Sequence, residues 1–468
     1  MERRQRALAD VLKNMKEEEK KKLDEAMTDL GFPNEADGIS CPPWIGEKGK
    51  LIETEFCECF LKNHPMKCIN SRLYDTEGEV TDEALKKEIY DTVSPYYSTN
   101  MVRRITQLAQ LMKMVADSEE PLRQLDLLNM KNGTLYLDGG FSPEKNICMN
   151  RFPVDYNPGA AKPEVWLRFV SELLYPEDIP AFQEFMGYTF IPTNRAQVMM
   201  MLIGRGGEGK SQIGHVLRAL QGTNMTMSSI QKLATNRFAK ADQIGKLLMV
   251  DDDMNLDALP DTGTLKSLVT LEDKTDVEWK FGQSQQVSLT FRIMGFGNGS
   301  LSALYDRSDG FYRRQMIIQV REKPAGRVDD RFLTDKLIAE KEGIFLWCLQ
   351  GLKRLIRNGY AFSVSNRMKQ NLETVRRDAN NIIEFFESTG YIRLEAHTSA
   401  SSRQLYNAYV KWCSDNAEKP LSDRTFTRWM RGEEERLGIK YDKNIDIGGG
   451  KKVRGYRGIN VMVNTDLV

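Results

Sequence analysis

The chain has 468 residues, of which 41% are hydrophobic, and its 66 basic and 66 acidic side chains leave no formal net charge. The length predicts several domains with ample apolar core. Neutrality excludes a global attraction to nucleic acid, so any such binding must be local. No apolar run approaches the roughly 20 residues of a membrane span, and residues 1–6 lack the apolar region of a secretory signal. We therefore expect a cytoplasmic protein with no membrane partner and with reduced thiols.

The N-terminal segment contains a charged stretch with helical periodicity and a group of cysteines. Apolar residues recur at helical spacing over residues 1–30, which predicts a helix whose Lys/Glu run at 16–22 is a solvated face. The cluster consists of Cys41, Cys57, Cys59, His64 and Cys68. Cys57-x-Cys59 is not the usual spacing of a structural zinc pair, so we favour small buried thiols on a helix over a zinc site.

Short elements are expected between this cluster and the first long apolar run. A strand begins near Lys67, and helices are predicted over 82–93 and 100–116. Asn132-Gly133 lies between two alternating apolar runs, which is a hairpin signal. Two more helices are predicted over about 164–174 and 178–187, after a proline-marked linker.

A glycine-rich motif follows the apolar run 198–203. The sequence from Gly204 to Ser211 matches the phosphate-binding pattern G-x-x-x-x-G-K-[ST], between a predicted strand and a predicted helix. Glycines let the backbone wrap a triphosphate, and the helix N-terminus adds positive partial charge. Lys210 would contact the β- and γ-phosphates, while the Ser211 hydroxyl would hold Mg²⁺. We therefore predict that ATP and Mg²⁺ are bound by Gly204, Gly206, Gly207, Glu208, Gly209, Lys210, Ser211 and Gln212.

Carboxylates follow a second apolar segment. Residues 246–250 predict a buried strand that is closed by Asp251, Asp252 and Asp253. An apolar strand ending in adjacent acids, downstream of a phosphate loop, is the Walker B pattern: one acid holds Mg²⁺ and the next polarises water. We favour Asp252 for the metal and Asp253 for the water, with Asp251 as the alternative because three consecutive aspartates leave the register open.

Three further patterns precede residue 320. Residues 277–287 predict a hairpin with its tip near Gly282-Gln283. Residues 291–298 predict a strand that ends in Asn298. A basic pair, Arg313-Arg314, comes directly before a predicted strand at 316–318.

The motifs between Gly204 and Arg314, in this order, resemble those of superfamily 3 helicases, the AAA+-type hexameric motors of viruses, phages and plasmids. The Asn132–Leu135 hairpin, Phe152–Tyr156 and Trp166-x-x-Phe169 resemble the helicase half of poxvirus-type and phage/plasmid helicase–primases. The similarity extends from about residue 50 to the C-terminus. No primase acidic motif is found before residue 150, which leaves open whether a primase is a separate partner or belongs to a longer chain of which this sequence is a fragment.

This resemblance implies roles for the motif residues of the motor. Lys210 and Ser211 act on ATP and Mg²⁺, and Asp252 with Asp253 forms Walker B. Asn298 is the sensor that reads the γ-phosphate.

The resemblance also implies contacts beyond one subunit. Arg314, with Arg313 as the alternative, is the arginine finger that completes the neighbouring subunit's site. Lys280, or a residue near the hairpin tip such as Gln283, contacts one DNA strand in the central channel.

The C-terminal region predicts helices over about 329–358, 365–387, 402–413 and 422–430, then a basic β-ribbon with a glycine tip at 448–450. Helix, helix and ribbon together indicate a winged helix. From Arg436 to Arg457 there are seven basic and two acidic residues. The residues expected to contact phosphates or base edges are Arg424, Arg428, Lys451, Lys452, Arg454 and Arg457. The alternative is a winged helix used for subunit packing.

These patterns predict a multidomain α/β protein. We expect a helical and small-strand N-terminal domain (1–160), an AAA+-like motor with a parallel sheet (161–365), and a helical connector with a winged helix (366–468). The expected function is ATP-driven unwinding of replication-origin DNA for a phage or mobile element in a bacterial host. It would act as a ring, expected to be a hexamer, on single-stranded and forked DNA, with the origin duplex bound by the C-terminal domain. Two alternatives are an ATP-dependent origin-melting or helicase-loading factor and a non-enzymatic origin-binding protein.

Overall fold

The computed structural model describes residues 42–119, 124–254, 263–270, 273–280, 283–299, 309–378, 381–446 and 452–463. The predicted helix over 1–30, Cys41, the hairpin tip at 281–282 and the glycine tip with Lys451 lie outside these residues. The described chain divides into two compact units. The first runs to Met368 without residues 309–312, and the second contains those four residues and the chain from Lys369 onward.

The first unit begins with a small domain that has its own core. Its helices and strands, in chain order, are α1 (Glu53–Asn63), β1 (Lys67–Ile69), β2 (Arg72–Asp75), β3 (Gly78–Val80), α2 (Asp82–Val93) and α3 (Met101–Val115). The predicted helices over 82–93 and 100–116 are confirmed. Cys57 and Cys68 lie buried in this core beside Trp44 and Phe56. Burial raises the pKa of the Cys57 thiol to about 12.

A second small sheet follows in the chain, before the central parallel sheet. It contains β4 (Leu127–Met130), β5 (Gly133–Tyr136), β6 (Phe141–Ser142) and β7 (Arg151–Phe152), in the order β6-β5-β4-β7. β4 and β5 are antiparallel, so the Asn132-Gly133 hairpin is confirmed. Gly133 has φ 150°, and a Cβ there would lie 2.1 Å from the Ser142 carbonyl oxygen, so the turn requires glycine.

The centre of the first unit is a five-stranded parallel sheet with helices. The elements of this stretch of chain, all but α9 in the first unit, are α4 (Glu164–Leu173), α5 (Ile179–Tyr188), β8 (Met199–Gly204), α6 (Lys210–Gln221), β9 (Met225–Met227), α7 (Ile230–Thr235), β10 (Leu248–Met254), α8 (Gly263–Thr270), β11 (Lys274–Val277), β12 (Gln285–Ser288), β13 (Arg292–Asn298), α9 (Asp309–Tyr312), β14 (Gln315–Gln319), α10 (Leu333–Ala339) and α11 (Lys341–Arg357). The strand order is β14-β8-β13-β10-β9. The middle strands are apolar and almost wholly buried, as expected of a parallel sheet that is covered on both faces. All carboxyl ends of the strands therefore meet at one edge.

Two boundaries in this region differ from the prediction. β10 does not close at the aspartates but continues through them to Met254, because Asp251 still pairs with Gly295 of β13 before the register becomes irregular. The single helix expected over 329–358 is two helices, α10 and α11.

The second unit is a mixed domain of helices and an antiparallel sheet. Its elements are α12 (Asn366–Asp378, which begins in the first unit), α13 (Asn381–Glu387), β15 (Ile392–Ser401), α14 (Ser402–Asp415), α15 (Asp423–Gly432), α16 (Glu434–Leu437), β16 (Lys440–Asp446) and β17 (Lys452–Val461). The predicted helices α14 and α15 and the antiparallel ribbon β16–β17 are confirmed. Ser422 caps α15 by accepting a hydrogen bond from the Thr425 N–H, as its position predicts.

The sequence prediction missed β15. This ten-residue strand pairs antiparallel with β17, so the sheet has the order β15-β17-β16. In the helical region expected over 365–387, the structure describes α12 and α13, and residues 379–380 between them lie outside the described residues. None of the helices that the structure describes combines the length and apolar character needed to cross a membrane.

Candidate functional site

The glycine-rich loop connects β8 to α6 at the carboxyl edge of the parallel sheet. Gly206, Gly207 and Gly209 have φ of 106°, 80° and 109°, a left-handed conformation that other residues rarely adopt. Gly204 leaves no room for a side chain, since a Cβ there would lie 2.6 Å from Val320. Lys210 is the first residue of α6, so the loop lies directly at a helix N-terminus. This arrangement suits an anion.

Glu208 lies inside the loop and is 3% exposed. Its carboxylate accepts hydrogen bonds from the Arg205 and Gly206 N–H groups and forms a 2.8 Å ion pair with Lys210 Nζ. Burial alone would raise the pKa of the Glu208 carboxyl, but the hydrogen bond from Lys210 holds that pKa below its ordinary value. The loop therefore contains a charged acid that engages the lysine predicted to contact phosphate.

The three aspartates of β10 have different surroundings. Asp251 is buried and accepts a 2.7 Å hydrogen bond from the Ile230 N–H, and burial raises its pKa. Asp252 is exposed and lines a cavity together with Lys210 and Ser211. Asp253 is also exposed but does not line that cavity. The geometry favours Asp252 over Asp251 as the acid that faces the phosphate loop.

Asn298 lies at the carboxyl end of β13, next to the loop. It pairs in register with Gly204, and a Cβ built on Gly206 would lie 3.8 Å from Asn298 Oδ1. The position follows from strand order, because β13 lies between β8 and β10. The sheet thus places the amide between the phosphate loop and the aspartates.

The cavity in front of the loop has a volume of about 450 Å³. It is lined by the predicted residues from Gly207 to Gln212, by Asp252 and by Asn298, whereas Gly204 and Gly206 form the base of the loop. One wall is partly apolar and comes from Val165, Phe169, Val328 and Leu333. The volume falls within the range of small-molecule sites, and a polar loop facing a partly apolar wall suits a nucleotide.

Sequence reasoning missed the wall formed by residues 327–333. Arg327, Asp329 and Asp330 line the cavity, and Thr334 donates a 2.6 Å hydrogen bond to Gln212 Oε1. The segment has no recognised motif, and its Pro324 and Gly326 indicate only a turn. The packing of α10 against α6 brings it to the site.

Arg314 lies at the opposite edge of the sheet. Its carbonyl accepts a hydrogen bond from the Met199 N–H, at the start of β8. The strand from Met199 to Gly204 spans roughly 17 Å at about 3.3 Å per residue. Burial, and then repulsion by Arg313, lower the pKa of Arg314. Neither arginine lines the cavity of its own chain.

The predicted DNA-contact residues that the structure describes lie on a hairpin of the first unit and on α15 and β17 of the second unit. Lys280 and Gln283 are exposed in the connection between β11 and β12, which are antiparallel, so the hairpin is confirmed.

In the second unit, Arg424 and Arg428 are exposed four residues apart on α15, hence on one face. Lys452 and Arg454 are exposed on β17. Arg457 is exposed as well but is paired with Asp442 at 2.6 Å, which neutralises part of its charge.

A parallel sheet with a glycine-rich loop at its carboxyl edge places the chain in the P-loop class of α/β proteins. Its sequence matches three families in separate segments. Residues 3–174 match the family described as D5 N terminal like, residues 377–431 match Poxvirus D5 protein-like, and residues 202–314 match a family of unknown function, DUF5906. The resemblance to poxvirus-type helicase–primases is therefore confirmed on both sides of the motor motifs, and it supports a replication-associated protein of the helicase–primase class.

Solved structures of the NrS-1 C-terminal region are similar to this chain at low identity. The apo structure of its residues 305-718 is 11% identical with a TM-score of 0.48, and the match covers 84% of this chain and 94% of that one. An A form apo structure of the same region is 12% identical with a TM-score of 0.44, covering 82% and 86%.

Proposed function

We propose that this chain is an ATP-dependent DNA helicase that unwinds replication-origin DNA for a phage or mobile element and works as a ring, expected to be a hexamer. The observation that carries the proposal is the convergence of Lys210, Ser211, Asp252 and Asn298 on one cavity. These residues come from three strand ends that are distant in sequence. The D5-type family matches support a replication-associated protein of the helicase–primase class, independently of this geometry.

The residues of the cavity fit ATP with Mg²⁺. The loop offers backbone N–H groups, a helix N-terminus and a lysine to an anion, and the Ser211 hydroxyl with the Asp252 carboxylate offers hard oxygen ligands to a divalent cation. Bound MgATP would supply the γ-phosphoryl group and the cation that neutralises it. Asn298 would read the γ-phosphate, and Asp253 would polarise the attacking water, with Asp251 as the alternative acid.

The position of Arg314 supports a ring. Roughly 17 Å of strand separates it from the phosphate loop of its own chain, so its guanidinium cannot complete that site. A neighbouring copy could place its Arg314 against this cavity. Hydrolysis would then require assembly, since transition-state charge is poorly compensated without the arginine.

Contacts to DNA are proposed for two surfaces. Lys280 or Gln283 on the β11–β12 hairpin would contact one strand in the ring channel. The exposed arginines of α15 and the basic residues of β17 would bind the phosphates of origin duplex, as a winged helix does.

The test is ATP-dependent strand separation on a forked duplex, with Lys210→Ala as the control. Separation that requires Lys210 is the expected result. Absence of any Lys210-dependent ATP hydrolysis would remove the motor assignment and favour an origin-binding protein. Hydrolysis without separation would favour an origin-melting or loading factor.

A further inference from the structure

Arg327 lines the cavity and contacts two backbone carbonyl groups of the phosphate loop. Its Nη1 donates to the Glu208 carbonyl oxygen at 3.1 Å, and its Nη2 donates to the Gly207 and Glu208 carbonyl oxygens at 3.2 Å each. The Arg327 side chain is 29% exposed, and Asp329 holds it from the other side at 3.5 Å. One guanidinium therefore bridges two successive peptide groups of the loop.

These contacts fix the direction of two N–H groups. In a trans peptide the C=O and N–H point to opposite sides of the plane. The Gly207 carbonyl shares a plane with the Glu208 N–H, and the Glu208 carbonyl shares one with the Gly209 N–H. Because Arg327 donates hydrogen bonds to the two carbonyl oxygens on its side, both N–H groups point away from it. The glycines at 207 and 209 would otherwise let these planes rotate.

We propose that Arg327 is a positioning residue that acts in the same chain and holds the phosphate loop in its anion-binding conformation. This rests on the proposed function, since the anion is the β-phosphate of the nucleotide. Glu208 holds the loop through its carboxylate, which engages the Arg205 and Gly206 N–H groups and Lys210. Arg327 holds the loop through the Gly207 and Glu208 carbonyl oxygens. Together these contacts order the loop before the nucleotide arrives.

An arginine suits this task better than a lysine. Its planar fork presents several N–H donors at fixed angles, so that it can engage two carbonyl oxygens at once. A lysine ammonium keeps the charge but lacks the fork. The variants R327K and R327A therefore separate the effect of the charge from that of the bridged carbonyls.

The expected effect is on binding and not on the chemical step. A loop that is preorganised for the β-phosphate serves the ground state and the transition state alike, so its loss raises KM and leaves kcat nearly unchanged. We expect R327A to weaken MgATP and MgADP by the same factor, about 10- to 100-fold, as for two charge-assisted hydrogen bonds. R327K should resemble R327A more than the wild type.

The matched control is Arg321→Ala. Arg321 lies in the same segment, but it donates to the Ser171 carbonyl oxygen and stacks on Tyr175 outside the cavity. We would measure Kd for fluorescent MgATP and MgADP analogues, kcat, KM and the thermal midpoint for the full-length wild type, R327A, R327K and R321A. Equal weakening of both nucleotides in the two Arg327 variants, at a thermal midpoint matching that of R321A, supports the proposal.

Three outcomes would overturn the inference. The first is affinity within twofold of the wild type in R327A. The second is weakening of MgATP alone, which would make Arg327 a direct γ-phosphate contact. The third is an equal loss in R321A. Failure of the proposed function is distinguishable, because wild-type chain that binds MgATP but separates no DNA would remove the helicase while the binding comparison still stands.

Discussion

The two edges of the parallel sheet are built differently. At the carboxyl edge, side chains from β8, β10 and β13 meet at one cavity, with Arg327 and α4 forming its walls. At the amino edge, Arg313 and Arg314 precede β14, and neither is among the residues that line the cavity. If Arg314 is the proposed arginine finger, one chain carries both halves of the proposed site but cannot bring them together. The predictions below test this division.

The largest expected effect is that of Arg314→Ala. If Arg314 completes the site of a neighbour, turnover should fall by about 10³- to 10⁵-fold while ATP affinity stays unchanged. ATPase assays and nucleotide titration of the assembled protein measure the two quantities. Arg313→Ala is the matched control and should retain most of the turnover. Normal turnover in Arg314→Ala would reassign the finger.

A mixing experiment sharpens this prediction. Lys210→Ala and Arg314→Ala chains are each expected to be inactive alone. A mixed ring contains interfaces with an intact Lys210 on one side and an intact Arg314 on the other, so mixing should restore part of the activity. No recovery, in mixtures shown by native mass spectrometry to co-assemble, would contradict action between subunits.

Lys210→Ala should come next in magnitude. Removing one preorganised charge from a phosphate site costs about 10²- to 10³-fold in turnover. The loss should appear at saturating ATP in a steady-state assay. The buried partner Glu208 would also lose its ion pair, so the thermal midpoint must be measured beside the activity. Activity above a few per cent of wild type would argue against the loop as the phosphate site.

A smaller effect is expected when the aspartates at the carboxyl edge are substituted. Asp252→Asn should raise the Mg²⁺ concentration needed for half-maximal turnover by about 10- to 100-fold, as expected for a group that orients metal-bound water. Asp251→Asn should shift it little, because Asp251 binds the Ile230 N–H and an amide oxygen can still accept that bond. A larger Mg²⁺ shift in Asp251→Asn than in Asp252→Asn would exchange the two roles.

The smallest effect is expected in the second unit. Arg424→Ala and Arg428→Ala should each weaken duplex binding several-fold and reduce the slope of log K against log salt by about 0.9 per lost phosphate contact. Fluorescence anisotropy over a salt series measures the slope. Arg436→Ala is the matched control, since Arg436 is close in sequence but its guanidinium is already paired with Glu433. An unchanged slope in both test variants would favour a role of this domain in subunit packing.

Local patterns predicted most elements of the central α/β region correctly. The β8–loop–α6 unit, the strand bearing Asn298 and the Asn132-Gly133 hairpin could be read from short-range signals, because glycine conformation, apolar runs and turn chemistry act within a few residues. The helix cap at Ser422 could also be predicted from a signal that acts within a few residues. The strand β15 was missed because its outer residues are polar and its pairing with β17 is distant in sequence.

The sequence by itself determined the presence of a phosphate loop, the acids that follow it, and the resemblance to helicase–primases, since each depends on residue types at fixed spacing. Only the tertiary structure decided which aspartate faces the loop, because strand pairing turns Asp251 towards Ile230 and leaves Asp252 at the cavity. It also decided that Arg327 touches the loop and that Arg314 lies at the far edge. Both depend on the order of parallel strands, which brings together or separates residues more than a hundred positions apart.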